Sequence, residues 1–377
     1  MLLEHLEHIV VYSVLIYATF VFVVNLIYLR KKKLKFKGKF EKISVLVPVR
    51  DEERDLKLCL ESLVKQNYPL YEIILLDDNS RDRSPEIMRE FQRRFPEKIK
   101  IITSKPLPPG WTGKNWACHQ LAKMANGDWL LFTDADTVHA IGCIKNAYME
   151  AVARGVDMVS YIPDLITISL PERIILPVIY FAFYLLFPLP LFKKIKDHRA
   201  AFAIGTFILI KRDIYERIGG HSALKDEIVE DVNLARRVKK VGGRFDLLDG
   251  IGIFYTRFYH NLREIWEGFT KNSFGAFGYN LIPYLLFLFM AYVVFLAPFI
   301  KFTLNPVFTF KNPLFMQIFW ILLLRTLLAF KTRHSVWSII LHPLMVAFSL
   351  LFAINSVYRI IMGLPITWKG RAYKLKD

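Results

Sequence analysis

Cysteine is scarce in this chain, with three in 377 residues: Cys59, Cys118 and Cys143. Their odd number and unpaired spacing argue against a disulfide framework, and no ligand cluster surrounds them for structural zinc. His5 and His8 stand near the N-terminus with no further ligand beside them, so they read as juxtamembrane surface rather than a metal site. Acid is short as well: 34 Asp and Glu against 51 Lys and Arg give a formal net charge of +17. Such a balance invites nucleic acid, but the basic residues gather beside apolar segments, where anionic lipid headgroups explain them better. No nucleic-acid partner is expected.

Apolar length is what the chain has in quantity. At 54% hydrophobic, 15% aromatic and 23% charged residues, it matches neither a wholly soluble enzyme nor a wholly embedded transporter. Ile9 to Leu29 is an uncharged run of 21 residues, enough to span a bilayer. Seven of the ten residues from Arg30 to Lys39 are Lys or Arg, which sets this flank in the cytoplasm and the N-terminus outside. The run is too long for a signal peptide and lacks a small-residue cleavage site, so residues 1–39 read as an uncleaved anchor with a basic stop.

Residues 40–278 have the composition of a soluble α/β domain, ample for a large core. Ile43 to Pro48 and Glu72 to Asp77 read as strands, with Leu56, Cys59, Leu60 and Leu63 at helical spacing between them. Ser84-Pro85 starts a helix as N-cap and first-turn proline. Ile99 to Ile102 is a third strand, Lys114 to Ala125 a helix, and Trp129 to Thr133 a fourth strand. This βαβ succession predicts a mostly parallel sheet. Asp134 and Asp136 follow the fourth strand, where open α/β sheets bind ligands. On an extended backbone the two would leave on one face and suit one divalent cation shared with substrate phosphates. A polar strand end is the plainer alternative.

Four strings then fall in order: Val47-Pro48-Val49-Arg50-Asp51-Glu52-Glu53, Asp77-Asp78-Asn79-Ser80, Asp134-Ala135-Asp136 and Glu230-Asp231. Together they resemble family 2 glycosyltransferases with the GT-A fold, across the whole soluble region. Pro109-Gly110-Trp111-Thr112-Gly113-Lys114 and Thr367-Trp368-Lys369-Gly370-Arg371 are similar to the membrane-bound branch with carotenoid- and hopanoid-associated glycosyltransferases, near ceramide glucosyltransferases. The resemblance implies a GT-A domain between N- and C-terminal transmembrane helices, with a nucleoside-diphosphate sugar as donor and Mg²⁺ or Mn²⁺ as cofactor. It implies that Pro48 and Asp77 or Asp78 contact the nucleotide, Asp78 being favoured; that Asp136 binds the metal; and that Asp134 reaches ribose or metal. Asp231 matches the general base, which would deprotonate the acceptor hydroxyl as it attacks the anomeric carbon.

Plainer readings stand beside these. Asp77 and Asp78 could make only a turn. Acids in a helix's first turn favour its dipole, which accounts for Glu227 and Glu230, although Glu230 is kept on the acceptor side with Gly205. Gly110 to Asn115 is not a phosphate loop, because the Gly four residues back is missing and Asn115 replaces Ser or Thr. Its glycines shape either a helix N-terminus from which Lys114 approaches donor phosphates or a simple connection. Gly205 permits close backbone approach by a ligand. The string Gln/Arg-x-x-Arg-Trp of processive relatives is absent between Tyr259 and Asn272, leaving Lys271 as a candidate on the diphosphate.

Ile174 to Phe192 is uncharged but cannot be one span, since Asp136 and Asp231 would then lie on opposite sides of the bilayer. Pro177, Pro188 and Pro190 break it, so one or two interfacial helices about residues 174–192 are expected, with Lys193, Lys194, Lys196 and Arg199 facing headgroups. A buried core helix is the alternative. Residues 279–377 hold spans near Leu281–Phe302, Pro313–Phe330 and Val336–Tyr358, and Arg325 should face protein or snorkel. Three crossings would leave Lys369, Arg371, Lys374 and Lys376 outside, against the positive-inside rule, so one segment does not cross or the tail is an exception. The sequence thus predicts a multi-pass enzyme of the cytoplasmic membrane, its catalytic domain facing the cytoplasm and its acceptor a lipid. Transfer would be inverting and metal-dependent. The alternatives are a processive polysaccharide synthase and a non-catalytic scaffold with a degenerate nucleotide fold.

Overall fold

The computed structural model describes residues 2–30, 36, 38–69, 71–195, 197, 198, 200, 201, 203–368 and 371–373. Lys196, Arg199, Lys369, Lys374 and Lys376 lie outside the described residues. The chain divides into two compact units: Leu29–Ile166 with Leu191–Phe258, and Met1–Tyr28 with Thr167–Pro190 and Tyr259–Asp377.

The first unit is built on ten strands among the described residues: β1 Ile43–Val49, β2 Tyr71–Asp77, β3 Ile99–Thr103, β4 Trp129–Thr133, β5 Thr137–His139, β6 Met158–Ile162, β7 Asp164–Leu165, β8 Phe207–Lys211, β9 Phe245–Asp249 and β10 Phe254–Thr256. Seven form one sheet in the order β3-β2-β1-β4-β8-β6-β9, and β5, β10 and β7 form a second. In the large sheet only β8 runs against its neighbours. The central strands are apolar on both faces, as a parallel sheet covered by helices requires. Leu75 and Leu131 pack into one core with Leu60 and Phe91, while Leu46 and Leu130 face a second core with Leu121 and Val238. The helix expected to begin on a Ser84 cap spans Ser84–Arg94, and Ser84 does not cap it. Its hydroxyl instead accepts a hydrogen bond from the Glu52 N–H at 2.8 Å, tying two loops together.

The second unit contains four helices, among the described residues, that are long and apolar enough to cross a membrane: Glu4–Tyr28, Leu281–Leu304, Pro313–Thr332 and His342–Ile361. The last does not start at Val336. A short helix Trp337–Ile340 precedes it, and the break falls at Leu341, one residue before His342-Pro343. Arg325 is 1% exposed, and its Nη2 donates to the Ser338 carbonyl at 2.8 Å. The apolar stretch about 174–192 is broken, as its prolines led one to expect. It is a run of short pieces, Leu170–Ile175, Val178–Phe181, a π-helical turn Ala182–Leu186 and Leu189–Lys194. Tyr180, Tyr184 and Leu185 are fully buried. The side chain of Asn25, from the first helix, donates to the carbonyls of Phe183, Tyr184 and Phe187 and accepts from Leu189 N–H. A buried amide thus takes up the carbonyls that the π-turn and Pro188 leave over. Lys193 Nζ lies 3.0 Å from Asp246 Oδ2.

Candidate active site

The strand order reverses at β1. This strand pairs with β2 along its whole length, Ile43↔Tyr71 to Val49↔Asp77, but with β4 only from Ile43 to Leu46. Beyond Leu46 the two strands separate, which opens a crevice at their carboxyl ends, the usual ligand position in such sheets. Pro48 sits there, opposite Leu76 and past the last β4 pair, where its missing N–H interrupts no pairing with β4.

The loops after β1 and β2 are knitted to each other. Asp51 Oδ1 accepts from Arg81 N–H at 2.7 Å, Asp51 N–H donates to Ser80 Oγ at 3.2 Å, and Glu53 N–H donates to Asp82 Oδ2 at 2.8 Å. Asp51 and Asn79 take φ of 53° and 58°, a region these two residue types tolerate better than most. Asp77 is the turn-maker of its pair, its Oδ1 accepting from Ser80 N–H at 3.0 Å. Asp78 is buried, and Arg50 Nη1 donates to its carbonyl at 2.9 Å and lies 3.7 Å from its carboxylate.

Lys114 joins the acids that sequence placed far apart. Its Nζ lies 3.0 Å from Asp134 Oδ1 and 3.1 Å from Glu230 Oε1. Burial works against its charge, but Asp134 and Glu230 hold the ammonium protonated, well above the usual lysine range. Asp231 stands on the same cluster. Its Oδ2 accepts from Gly205 N–H and its Oδ1 from Val232 N–H, both at 2.8 Å. Burial, with the charge of Glu230 added, raises its carboxyl to about 6 against the opposing pull of Lys114 and the two N–H groups. A Cβ at Gly205 would stand 3.2 Å from Asp231 Oδ2 and 3.3 Å from Lys114 Nζ. The glycine therefore makes room for these two side chains.

Sequence reasoning used Asn115 only to exclude a phosphate loop. In the structure this fully buried amide donates to the carbonyls of Leu224 and Glu227, and Thr112 N–H donates to Lys225 carbonyl at 2.7 Å. Thr112 Oγ1 caps the helix Gly113–Met124 by accepting from Asn115 N–H. The loop ahead of Glu230 is thereby clamped to the helix that carries Lys114. A cap spacing, Thr-x-x-Asn, was the available signal.

The acid pair departs from expectation in one respect. Asp134 and Asp136 do not alternate on an extended strand, because β4 ends at Thr133 and residues 134–136 turn into β5. Thr137 Oγ1 closes that turn by donating to Asp134 carbonyl at 2.6 Å, and Thr133 Oγ1 donates to Thr206 carbonyl at 2.8 Å. Behind the turn His139 bridges Thr133 Oγ1 and Ser62 Oγ, at 3.2 and 3.3 Å. Burial pushes that imidazole down to about 3, so it is neutral. These supports were not read from the sequence. His221 is buried against Tyr215, with its Nδ1 2.8 Å from the phenol oxygen. Lys271 falls in the helix Leu262–Ala276 of the other unit.

Among the described residues no three His, Cys, Asp or Glu side chains gather into a metal cage. Two carboxylates in one turn are an oxygen-only donor set. They fit a hard divalent cation that fills its shell with phosphate oxygens and water, and they do not fit structural zinc.

A doubly wound, mostly parallel sheet with acids at the carboxyl ends of its central strands defines a GT-A-like fold. Residues 44–219 match the family model described as glycosyl transferase family 2. The chain is 28% identical over 257 residues to a 4,4'-diaponeurosporenoate glycosyltransferase of Staphylococcus haemolyticus, covering 66% of each chain. It is 28% identical over 211 residues to the probable glycosyltransferase YdaM of Bacillus subtilis, covering 53% of this chain and 47% of that one. The chain thus spans 66% of the length of the first relative and 47% of that of the second. Among solved structures, the mannosyltransferase PcManGT from Pyrobaculum calidifontis, in complex with GDP-Man and Mn²⁺, superposes with a TM-score of 0.53. It shares 16% identity, over 93% of this chain and 99% of that one.

Proposed function

We propose that this chain is an inverting, metal-dependent glycosyltransferase that moves one sugar from a nucleoside-diphosphate sugar to the hydroxyl of a lipid at the cytoplasmic face of the membrane. The observation that carries the reading is Asp231, a carboxylate fixed by two backbone N–H groups, raised to about 6, and set among Lys114, Glu230 and Asp134. A base so held has its lone pairs aimed before substrate arrives, and its pKa lies nearer neutrality, where a general base works best.

Asp78 and Pro48 line the nucleotide side of the crevice. Lys114, kept charged by Asp134 and Glu230, supplies positive potential where a diphosphate leaves. Asp136, with Asp134, would hold Mg²⁺ or Mn²⁺, which stabilises the departing diphosphate when bound. Asp231 takes the acceptor proton as its oxygen attacks from the face opposite the leaving group, a single displacement that inverts the anomeric carbon. The membrane helices and the carotenoid-associated relatives support an apolar acceptor.

Two measurements test this. Asp231→Asn should lower kcat by about 100-fold or more, the range general-base removal commands, while the nucleotide-induced rise in Tm persists; unchanged turnover would remove Asp231 from the chemistry. The detergent-solubilised protein should be stabilised by one of UDP, GDP, dTDP or CMP with Mn²⁺, and Asp136→Ala should abolish the Mn²⁺-dependent part. No shift with any nucleotide, from folded protein, would favour the degenerate scaffold. A ladder of product lengths would favour the processive synthase.

A further inference from the structure

The membrane unit contains a cavity of about 590 Å³ between the helix Leu262–Ala276 and the last turns of His342–Ile361. Its size is that of a small-molecule site. Arg263 and Trp266 enter from the first helix, Asn355 and Arg359 from the second, and Thr270 closes the floor by accepting from Asn355 Nδ2 at 2.9 Å. Trp266 stands edge-on to Phe352, centroids 5.1 Å apart, which fixes the indole at the wall.

Both guanidiniums are held through one nitrogen each. Arg263 Nε donates to Glu267 Oε1 at 3.0 Å, and Arg359 Nη1 donates to the Pro365 carbonyl at 2.9 Å. Two positive charges and the one negative charge of Glu267 leave the cavity with a net charge of one plus. Its position is equally informative. Arg359 lies in the last turn of a helix apolar enough for a bilayer, so the cavity sits at headgroup depth, where tryptophan also concentrates.

We infer that this cavity binds the headgroup of an anionic phospholipid, with the phosphodiester between Arg263 and Arg359 and the glycerol and first methylenes against Trp266 and Leu262. A net charge of one plus matches a monoanionic diester. A zwitterionic choline headgroup would bring its cation against two guanidiniums, while a free phosphate would leave the apolar wall uncovered. Guanidinium pairs recognise phosphate through paired N–H donors, which a point charge does not reproduce.

The test uses the full chain reconstituted in nanodiscs of mixed phosphatidylglycerol and phosphatidylcholine, extracted into detergent and weighed by native mass spectrometry. The wild type should retain phosphatidylglycerol over phosphatidylcholine by about tenfold or more, the worth of one charged hydrogen bond. Arg263→Gln with Arg359→Gln should erase that preference, and the Lys pair should restore only part of it. Arg263→Gln alone, at a side chain 88% exposed, leaves the fold untouched and should still lower the preference severalfold. Equal retention of the two lipids by wild type, or an undiminished preference in Arg263→Gln, would overturn the inference. Millimolar inorganic phosphate that stabilises the wild type as much as phosphatidylglycerol does would overturn the lipid as its source.

Discussion

The raised carboxyl of Asp231 carries a cost in stability. A carboxyl raised to about 6 from an ordinary 3.8 binds its proton more tightly folded than unfolded. Ionising it therefore costs the native state; the cost is complete above the folded pKa and vanishes below the unfolded one. Asp231→Asn should accordingly unfold at higher temperature than wild type at pH 8, with the difference closing between about pH 6 and pH 4. If Asp231 is the proposed general base, the same ionisation would act on catalysis with the opposite consequence: kcat/KM should fall tenfold per pH unit below about 6. Thermal melts and a pH–rate profile read the two effects separately. A mutant no more stable than wild type at pH 8 would mean that the carboxylate is better solvated than its surroundings suggest.

Between elements, the glycine before β8 is a point of close packing in the site. Gly205 carries an N–H to Asp231 and stands where a methyl group would press on both Asp231 and Lys114. Gly205→Ala should move the base and the ammonium together, lowering kcat about tenfold or more with KM for the donor less affected, since misplacing a reacting group by a fraction of an ångström is costly. Equal kcat in the alanine variant would show that Asp231 gives way freely. The strands and the acids at their ends were legible, because apolar runs such as Trp129 to Thr133 announce a buried parallel sheet and a carboxylate after one has few structural reasons to be there. What joins them was not. The contacts of Lys114 with Asp134 and Glu230 link residues 20 and 116 positions apart, and no periodicity encodes that. The turn at 134–136 depends on the hydroxyl of Thr137, and the Asn25 clamp depends on a π-turn more than 150 residues away. Local patterns specify elements; long-range polar contacts are chosen by the fold once it exists.

At the scale of the whole chain, contacts within the second unit bear on how many of its helices cross a bilayer. Lys301 pairs with Glu7, so the far end of Leu281–Leu304 meets the N-terminal end of the first helix. Tyr12 donates to the Pro313 carbonyl and Trp320 Nε1 to Thr19 Oγ1, so Pro313–Thr332 starts at that same end and runs beside the first helix in its direction. The last helix then runs the same way again: the side chain of Tyr284, near the start of Leu281–Leu304, reaches Ala353 carbonyl, and Phe274 N–H reaches Ser356 Oγ. Two consecutive helices pointing in one direction cannot be two alternating crossings. The linker between them turns back, its Ser338 carbonyl lying against Arg325 in the middle of the preceding helix. We propose on this geometry that three of the four helices cross in full, so that the end of His342–Ile361 would lie on the same side as the end of the first helix, an arrangement under which the positive-inside rule would hold for both basic clusters. A green fluorescent protein fused after Asp377 should fluoresce and alkaline phosphatase fused there should be inactive, as for fusions after Lys39. An active phosphatase at the C-terminus would mean that His342–Ile361 runs opposite to Pro313–Thr332 in the membrane, and would overturn the three-crossing arrangement.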